Sequence, residues 1–191
     1  MPVVDLFKTP MFTDKLYLDP QPMIKKIKQL QKKNPKGTVK SNEGGWQCSL
    51  SHDFNPQLIN ILNANAHVFA KHLSLKTPLK LKNIWVNINK KNDYNIVHVH
   101  PYSQLSGVFY LQVPEKSGNL TFLNPVGKTL DYDWGTDSVK DFTAYTSSRW
   151  TVVSTPLRFY LFPSWLSHYV EPSQNNTKER ISISFNFKYN Q

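Results

Sequence analysis

Apolar residues recur along the chain with two periods. Between Asp19 and Lys33 the positions Met23, Ile24, Ile27 and Leu30 fall three and four apart, the spacing of one helical face. Asp19 and Pro20 suit the start of that helix and "NPKG" its end. A second face runs through Leu58, Ile59, Leu62, Ala66, Phe69 and Leu73. Asn55 and Pro56 open it: a capping side chain, then a proline where no backbone N–H is needed. Beyond about residue 78 the pattern changes. Short runs rich in Val, Ile, Phe, Tyr and Trp are separated by Asn, Asp, Gly and Pro clusters, which predicts strands near 80–89, 95–100, 106–113, 119–124, 150–155, 158–163, 168–172 and 180–189.

So many short strands must pair among themselves, because an isolated hairpin is at best marginally stable. The expected fold is therefore mainly β, a jelly-roll barrel with two N-terminal α-helices packed outside it. A length of 191 residues suits one domain over 1–191, with 1–78 as helical support and 79–191 as the barrel core. The segment "LDYDWGTDSVKDFTAYTSS", 130–148, has no clear period. A lid, a binding loop and weak strand pairing all fit it.

Composition narrows the class. Hydrophobic residues at 39% and charged residues at 19% describe an ordinary globular chain, away from the disordered range. No apolar run approaches the ~20 residues needed to span a bilayer, and "MPVVDLFKTPMF" lacks the parts of a secretory signal. A cytoplasmic protein with no membrane partner is expected. Cys48 is the single cysteine, which excludes an internal disulfide and Cys-rich zinc modules. The net charge of +10 invites an anionic partner. The lysines, however, gather in "MIKKIKQLQKKNPKGTVK", on the first helix and its exit, where a solvated face accounts for them. With no zinc-finger spacing, glycine-rich phosphate loop or RNA-binding signature, nucleic acid is not expected.

Chemistry concentrates in two stretches. In "HVHPYSQLSGVFYL", His98 and His100 project from one side of a strand, together with Ile96. Two imidazoles can chelate a cation but need a third protein ligand. His168, in "LFPSWLSHYVEP", is the candidate, since His67 and His72 lie on the second helix and His52 in a loop. Histidines on a strand are also common as surface or satisfied core residues, so the triplet needs support. "RISISFN" provides it: Arg180, Ser182, Ser184 and Asn186 alternate with Ile181, Ile183, Phe185 and Phe187. One face packs, and the other offers a guanidinium and hydroxyls, groups suited to a carboxylate.

With these residues in place the chain resembles the 2-oxoglutarate and Fe(II)-dependent oxygenase superfamily, nearest its bacterial and phage branch related to prolyl hydroxylases. The resembling stretches are "SNEGGWQ" (41–47), "WVNINKKNDYNIVHVHPYSQLSGVFYLQVPEKSGNLTFLNP" (85–125) and "LFPSWLSHYVEPSQNNTKERISISFNF" (161–187). The resemblance implies a double-stranded β-helix, related to cupins. It implies Fe(II) held by His98 and His168, and an Arg180–Ser182 clamp on the far carboxylate of 2-oxoglutarate. Tyr110 resembles the tyrosine supporting that carboxylate, although a core aromatic is an equal reading. His100 stands where the family pattern has Asp or Glu. Three readings stay open: a three-histidine site, a two-histidine site completed by water, or a shifted register in which His100 replaces His98.

The implied reaction couples O2-dependent decarboxylation of 2-oxoglutarate, yielding succinate and CO2, to hydroxylation of a substrate. Trp46, Trp85, Asn87 and the 130s loop are the residues expected around the mouth. The substrate classes left open are a peptidyl side chain, a free amino acid, a modified nucleobase or another small molecule; a second copy in a homodimer is the further partner. The alternatives are a cupin-type metalloenzyme without 2-oxoglutarate, for which Gln104 stands near the expected glutamate, and a non-catalytic binding or structural jelly roll.

Overall fold

The computed structural model of the protein describes residues 2–189. In chain order the elements are β1 (Phe12–Lys15), α1 (Gln21–Lys33), β2 (Asn42–Glu43), β3 (Trp46–Ser49), α2 (Pro56–His72), β4 (Leu79–Asn89), β5 (Tyr94–His98), β6 (Leu105–Gln112) and β7 (Leu120–Leu123). Then follow α3 (Gly127–Asp133), α4 (Gly135–Ser138), β8 (Arg149–Val152), β9 (Arg158–Pro163), β10 (His168–Val170) and β11 (Arg180–Tyr189).

Both long helices form where the apolar spacing predicts them. Asn55 accepts the Leu58 N–H at 2.9 Å, capping α2, and Asp19 accepts the Gln21 N–H at 3.0 Å ahead of α1. Lys32 and Lys33 end α1, and Lys71 and His72 end α2, complementing the helix dipoles.

The strands make two antiparallel sheets, ordered β1-β9-β6-β11-β4-β3 and β2-β5-β10-β7-β8. One face of the larger sheet carries the main core, where Ile183, Phe185 and Phe187 pack with Met23, Leu62 and Phe69 of the helices. Its other face belongs to a second, smaller cluster that includes Tyr110, Leu120, Phe122 and Phe162. A single strand therefore serves two purposes. On β11 the odd-numbered Ile181 to Phe187 belong to the helix-side core, while Arg180, Ser182 and Ser184 line a pocket on the other side.

Three expectations change. The sheets do not close into a barrel, because their edge strands β1, β3, β2 and β8 end two separate ladders. The first 78 residues are not helical support alone: β1, β2 and β3 join the sheets as edges two to four residues long, with too few aromatic and β-branched residues in sequence to mark a strand. The helix count also exceeds two, since α3 and α4 occupy part of the aperiodic 130s segment. Among the described residues no helix is long and apolar enough to cross a membrane.

Candidate metal and cosubstrate site

β5 and β10 pair so that His98 lies directly opposite His168. Their ring centroids are 4.3 Å apart, and His100 lies 5.0 Å from each. One ligand nitrogen from each of the three falls within 4.8 Å of the others. The strand ends at His98, so His100 arrives from the following loop, with its backbone N–H donated to the Ser164 carbonyl at 3.0 Å. Ile96 does not share their face: the β5–β10 register shifts between His98 and Asn95, and Ile96 is exposed.

Second contacts orient two of the ligands. His98 Nδ1–H donates to the Ile96 carbonyl at 2.7 Å and His168 Nδ1–H to the Leu166 carbonyl at 2.8 Å. Each bond leaves Nε2 with a free lone pair, the arrangement that fixes a metal-binding imidazole. Burial also keeps the rings neutral. His100 is pushed down to about 4, by burial first and then by the charges of His98 and Lys82. His168 is pushed down to about 3 by burial, then His98, against the help of its bond to Leu166. His98 is lowered by burial. Three neutral imidazoles facing one point suit a divalent transition metal.

The opposite end of the pocket is cationic. Arg180 is only 2% exposed, donating from Nη1 to the Gly118 carbonyl and from Nη2 to Asn89 Oδ1, each at 2.9 Å. Its Nε has no partner. Among the described residues no carboxylate lies within ion-pair distance of Arg180, although Asp93 supplies a more distant favourable charge. A guanidinium this deep without an acid is costly, and a carboxylate ligand would offset the cost. Register places Ser182 between Asn87 and Tyr110 of the flanking strands, so the three share the pocket face. Burial pushes the Tyr110 phenol up from its ordinary value, with Arg180 acting against it. It stays protonated at neutral pH and is available to donate.

Between the two ends, Asn87 donates from Nδ2 to Ser184 Oγ at 3.1 Å, while its buried Oδ1 has no partner. Trp85 lines the pocket beside His100, ring centroids 5.6 Å apart. Trp46 does not line it: the indole packs in the helix-side core and donates to the Asn34 carbonyl at 2.8 Å. Four contributors escape sequence reasoning. Asn89 had a readable signal, being the next inward position after Trp85 and Asn87. Gly118, Ser41 and Asn95 lie within the resembling stretches, but no local period singles them out. Gly118 has a φ of +82°, and an added Cβ would meet the Glu171 carbonyl oxygen at 2.1 Å.

The site can be set beside known proteins. A family profile described as "Putative 2OG-Fe(II) oxygenase" matches residues 83–186, more than half of the chain. No curated protein matches. Among solved structures, a prolyl-4-hydroxylase from Pseudomonas putida is similar at a TM-score of 0.66 and 13% identity, covering 96% of this chain and 94% of that one. HygX from Streptomyces hygroscopicus, with nickel and 2-oxoglutarate bound, is similar at 0.57 and 11%, covering 94% and 82%. The α-ketoglutarate-dependent carbocyclase SnoK of nogalamycin biosynthesis is similar at 0.63 and 9%, covering 94% and 79%. At these identities the likeness is one of fold.

Proposed function

Since the chain belongs to the 2OG-Fe(II) oxygenase family, with Fe(II) as its metal and 2-oxoglutarate as its cosubstrate, we propose that it is a hydroxylase in which His98, His100 and His168 hold the iron. Arg180, Ser182 and Tyr110 hold the distal carboxylate of 2-oxoglutarate, and the products are succinate, CO2 and a hydroxylated substrate. The two facing sheets are a double-stranded β-helix in this reading, within a single cytoplasmic domain.

The observation that carries it is the buried, acid-free Arg180 in the same pocket as three converging neutral histidines. The dianionic cosubstrate spans these two ends and places one carboxylate at each. Bound iron with 2-oxoglutarate supplies dioxygen activation and the oxidising equivalents. The chain's own residues do the rest. The carbonyls of Ile96 and Leu166 hold the His98 and His168 rings through their Nδ1–H groups. Asn89 and the Gly118 carbonyl aim the guanidinium, leaving Nε–H for the carboxylate. The Tyr110 hydroxyl donates to that carboxylate as well. Asn87 Oδ1 accepts a hydrogen bond from the substrate, because 2-oxoglutarate at neutral pH has no donor to offer it.

The test is anaerobic addition of Fe(II) and 2-oxoglutarate, watching for their visible charge-transfer band, followed by succinate release in air. Wild type gives both. His168→Ala loses both, and Arg180→Ala needs at least ~100-fold more 2-oxoglutarate, the loss expected for a buried charge-assisted contact. Absence of both signals in wild type, or their survival in both variants, overturns the proposal.

A further inference from the structure

The pocket is short of negative charge at its metal end, and this bears on the substrate. None of the described residues lining the pocket is an Asp or Glu, and the three clustered ligands are all histidines. Fe(II) with three neutral ligands keeps both of its charges, and the C1 carboxylate of 2-oxoglutarate cancels one. The distal carboxylate is committed to Arg180, on which Asp93 also acts as a more distant negative charge. A net positive charge is left at the metal.

Two features of the chain bear on what could cancel it. Lys82 is the extra residue of a bulge: β11 pairs Asn186 with Asn83 and Phe187 with Leu81, leaving Lys82 unpaired. The bulge turns its ammonium onto the loop that follows His100, where it donates to the Pro101 and Tyr102 carbonyls at 3.2 and 3.0 Å and to Ser103 Oγ at 3.3 Å. All three N–H groups are used, so Lys82 acts on the site as a fixed charge, and His100 feels it. The second feature is Ser41, whose hydroxyl accepts from Asn95 Nδ2 at 3.1 Å and lies 3.5 Å from His98 Nε2. A metal on Nε2 takes the lone pair that this hydroxyl now faces. Its proton then needs an acceptor beside the metal.

We propose that the substrate carries an anionic group, a carboxylate or phosphate, that binds beside the metal, accepts a hydrogen bond from Ser41 and supplies the negative charge missing from the ligand set. This rests on the oxygenase reading above. His100, standing in place of an acidic ligand, becomes the residue that selects for anionic substrates, and Lys82 reinforces it. Attraction by an uncancelled charge in a partly water-excluded pocket is strong enough to decide between a charged and a neutral substrate of the same shape.

The experiment uses the full chain loaded with Co(II) and radiolabelled 2-oxoglutarate, titrated with acetate, inorganic phosphate, chloride and, as the uncharged control, acetamide. Visible Co(II) absorption and retained label are both read. Acetate or phosphate should give a saturating spectral change with the label retained, and acetamide none. Apparent affinity should fall ~10-fold or more in Lys82→Met, hold in Lys82→Arg, and fall most in His100→Asp, which restores an acidic ligand. Ser41→Ala should weaken the oxyanions by a few-fold, the share of one hydrogen bond.

The inference is overturned if no anion changes the spectrum, if anions act only by displacing 2-oxoglutarate, or if Lys82→Met and His100→Asp bind them as wild type does. Chloride matching the oxyanions overturns the substrate assignment, because the missing charge is then a simple halide. Wild type that binds neither Co(II) nor 2-oxoglutarate removes the oxygenase reading and this inference with it.

Discussion

The two faces of the six-stranded sheet are built from the same strands and obey opposite rules. Toward the helices, Ile183, Phe185 and Phe187 are fully buried among apolar neighbours. Toward the other sheet, Arg180, Ser182 and Asn87 are nearly as buried, yet Arg180 Nε and Asn87 Oδ1 have no protein partner. Burial alone does not separate core from site. Satisfaction does: the first face is complete in the free protein, and the second is completed by ligands.

The largest consequence lies on the complete face. Phe185→Ala should cost ~3–5 kcal/mol in denaturant unfolding, the usual penalty for emptying a large aromatic site. Arg180→Met should cost less than half of that in the ligand-free protein, since it removes a buried charge with no ion-pair partner. It should still abolish stabilisation by 2-oxoglutarate. Equal destabilisation by both variants would show that the inward face is structural too.

The acid limb comes next. His168 and His100 are held down to about 3 and about 4, so both stay neutral in the fold while the unfolded chain takes up protons below about 6.5. Metal-free protein should therefore be fully stable above that pH and lose stability steadily as the pH falls toward 4. Urea midpoints against pH read this slope. His168→Ala should flatten it.

Gly118→Ala should cost ~1–3 kcal/mol, because it forces a side chain into a positive φ and against the Glu171 carbonyl. Since the Gly118 carbonyl holds Arg180, 2-oxoglutarate affinity should drop while Co(II) affinity stays within a factor of two or so. The smallest effect belongs to the outermost layer. Asn55→Ala removes one cap and should cost ~1 kcal/mol, leaving both affinities unchanged.

Much of this was legible in the residues, but unevenly. β9 and β11 occupy the predicted ranges, 158–163 and 180–189: an unbroken apolar run from Phe159 to Pro163 marks the first, and alternation of polar and apolar residues marks the second. β1, β2 and β3 went unread: FTDK, NE and WQCS lack the aromatic and β-branched runs that mark the equally short β7, β8 and β10, and an edge strand is stabilised by the neighbour it joins. In the 130s segment seven- and four-residue helices are too short to mark an apolar face. The mouth shows the same limit. Trp85 and Asn87 sit on a regular strand and face the pocket, whereas Trp46, on β3, turns into the core.

Within regular strands the sequence by itself determined which side chains share a face, since a strand's period of two is local; on β5, where the register shifts, it did not. The period was enough to group Arg180 with Ser182 and to separate them from Ile181 and Ile183. Only the tertiary structure decided that His98 faces His168 across a ladder 70 residues apart in sequence, with His100 reaching them from a loop. It also decided that Arg180 is left without an acid among the described residues and that a bulge turns Lys82 onto the loop after His100. Pairing and register depend on contacts that no local period encodes, and so the partners of each charge, and with them the chemistry of the pocket, appear only when the sheets come together.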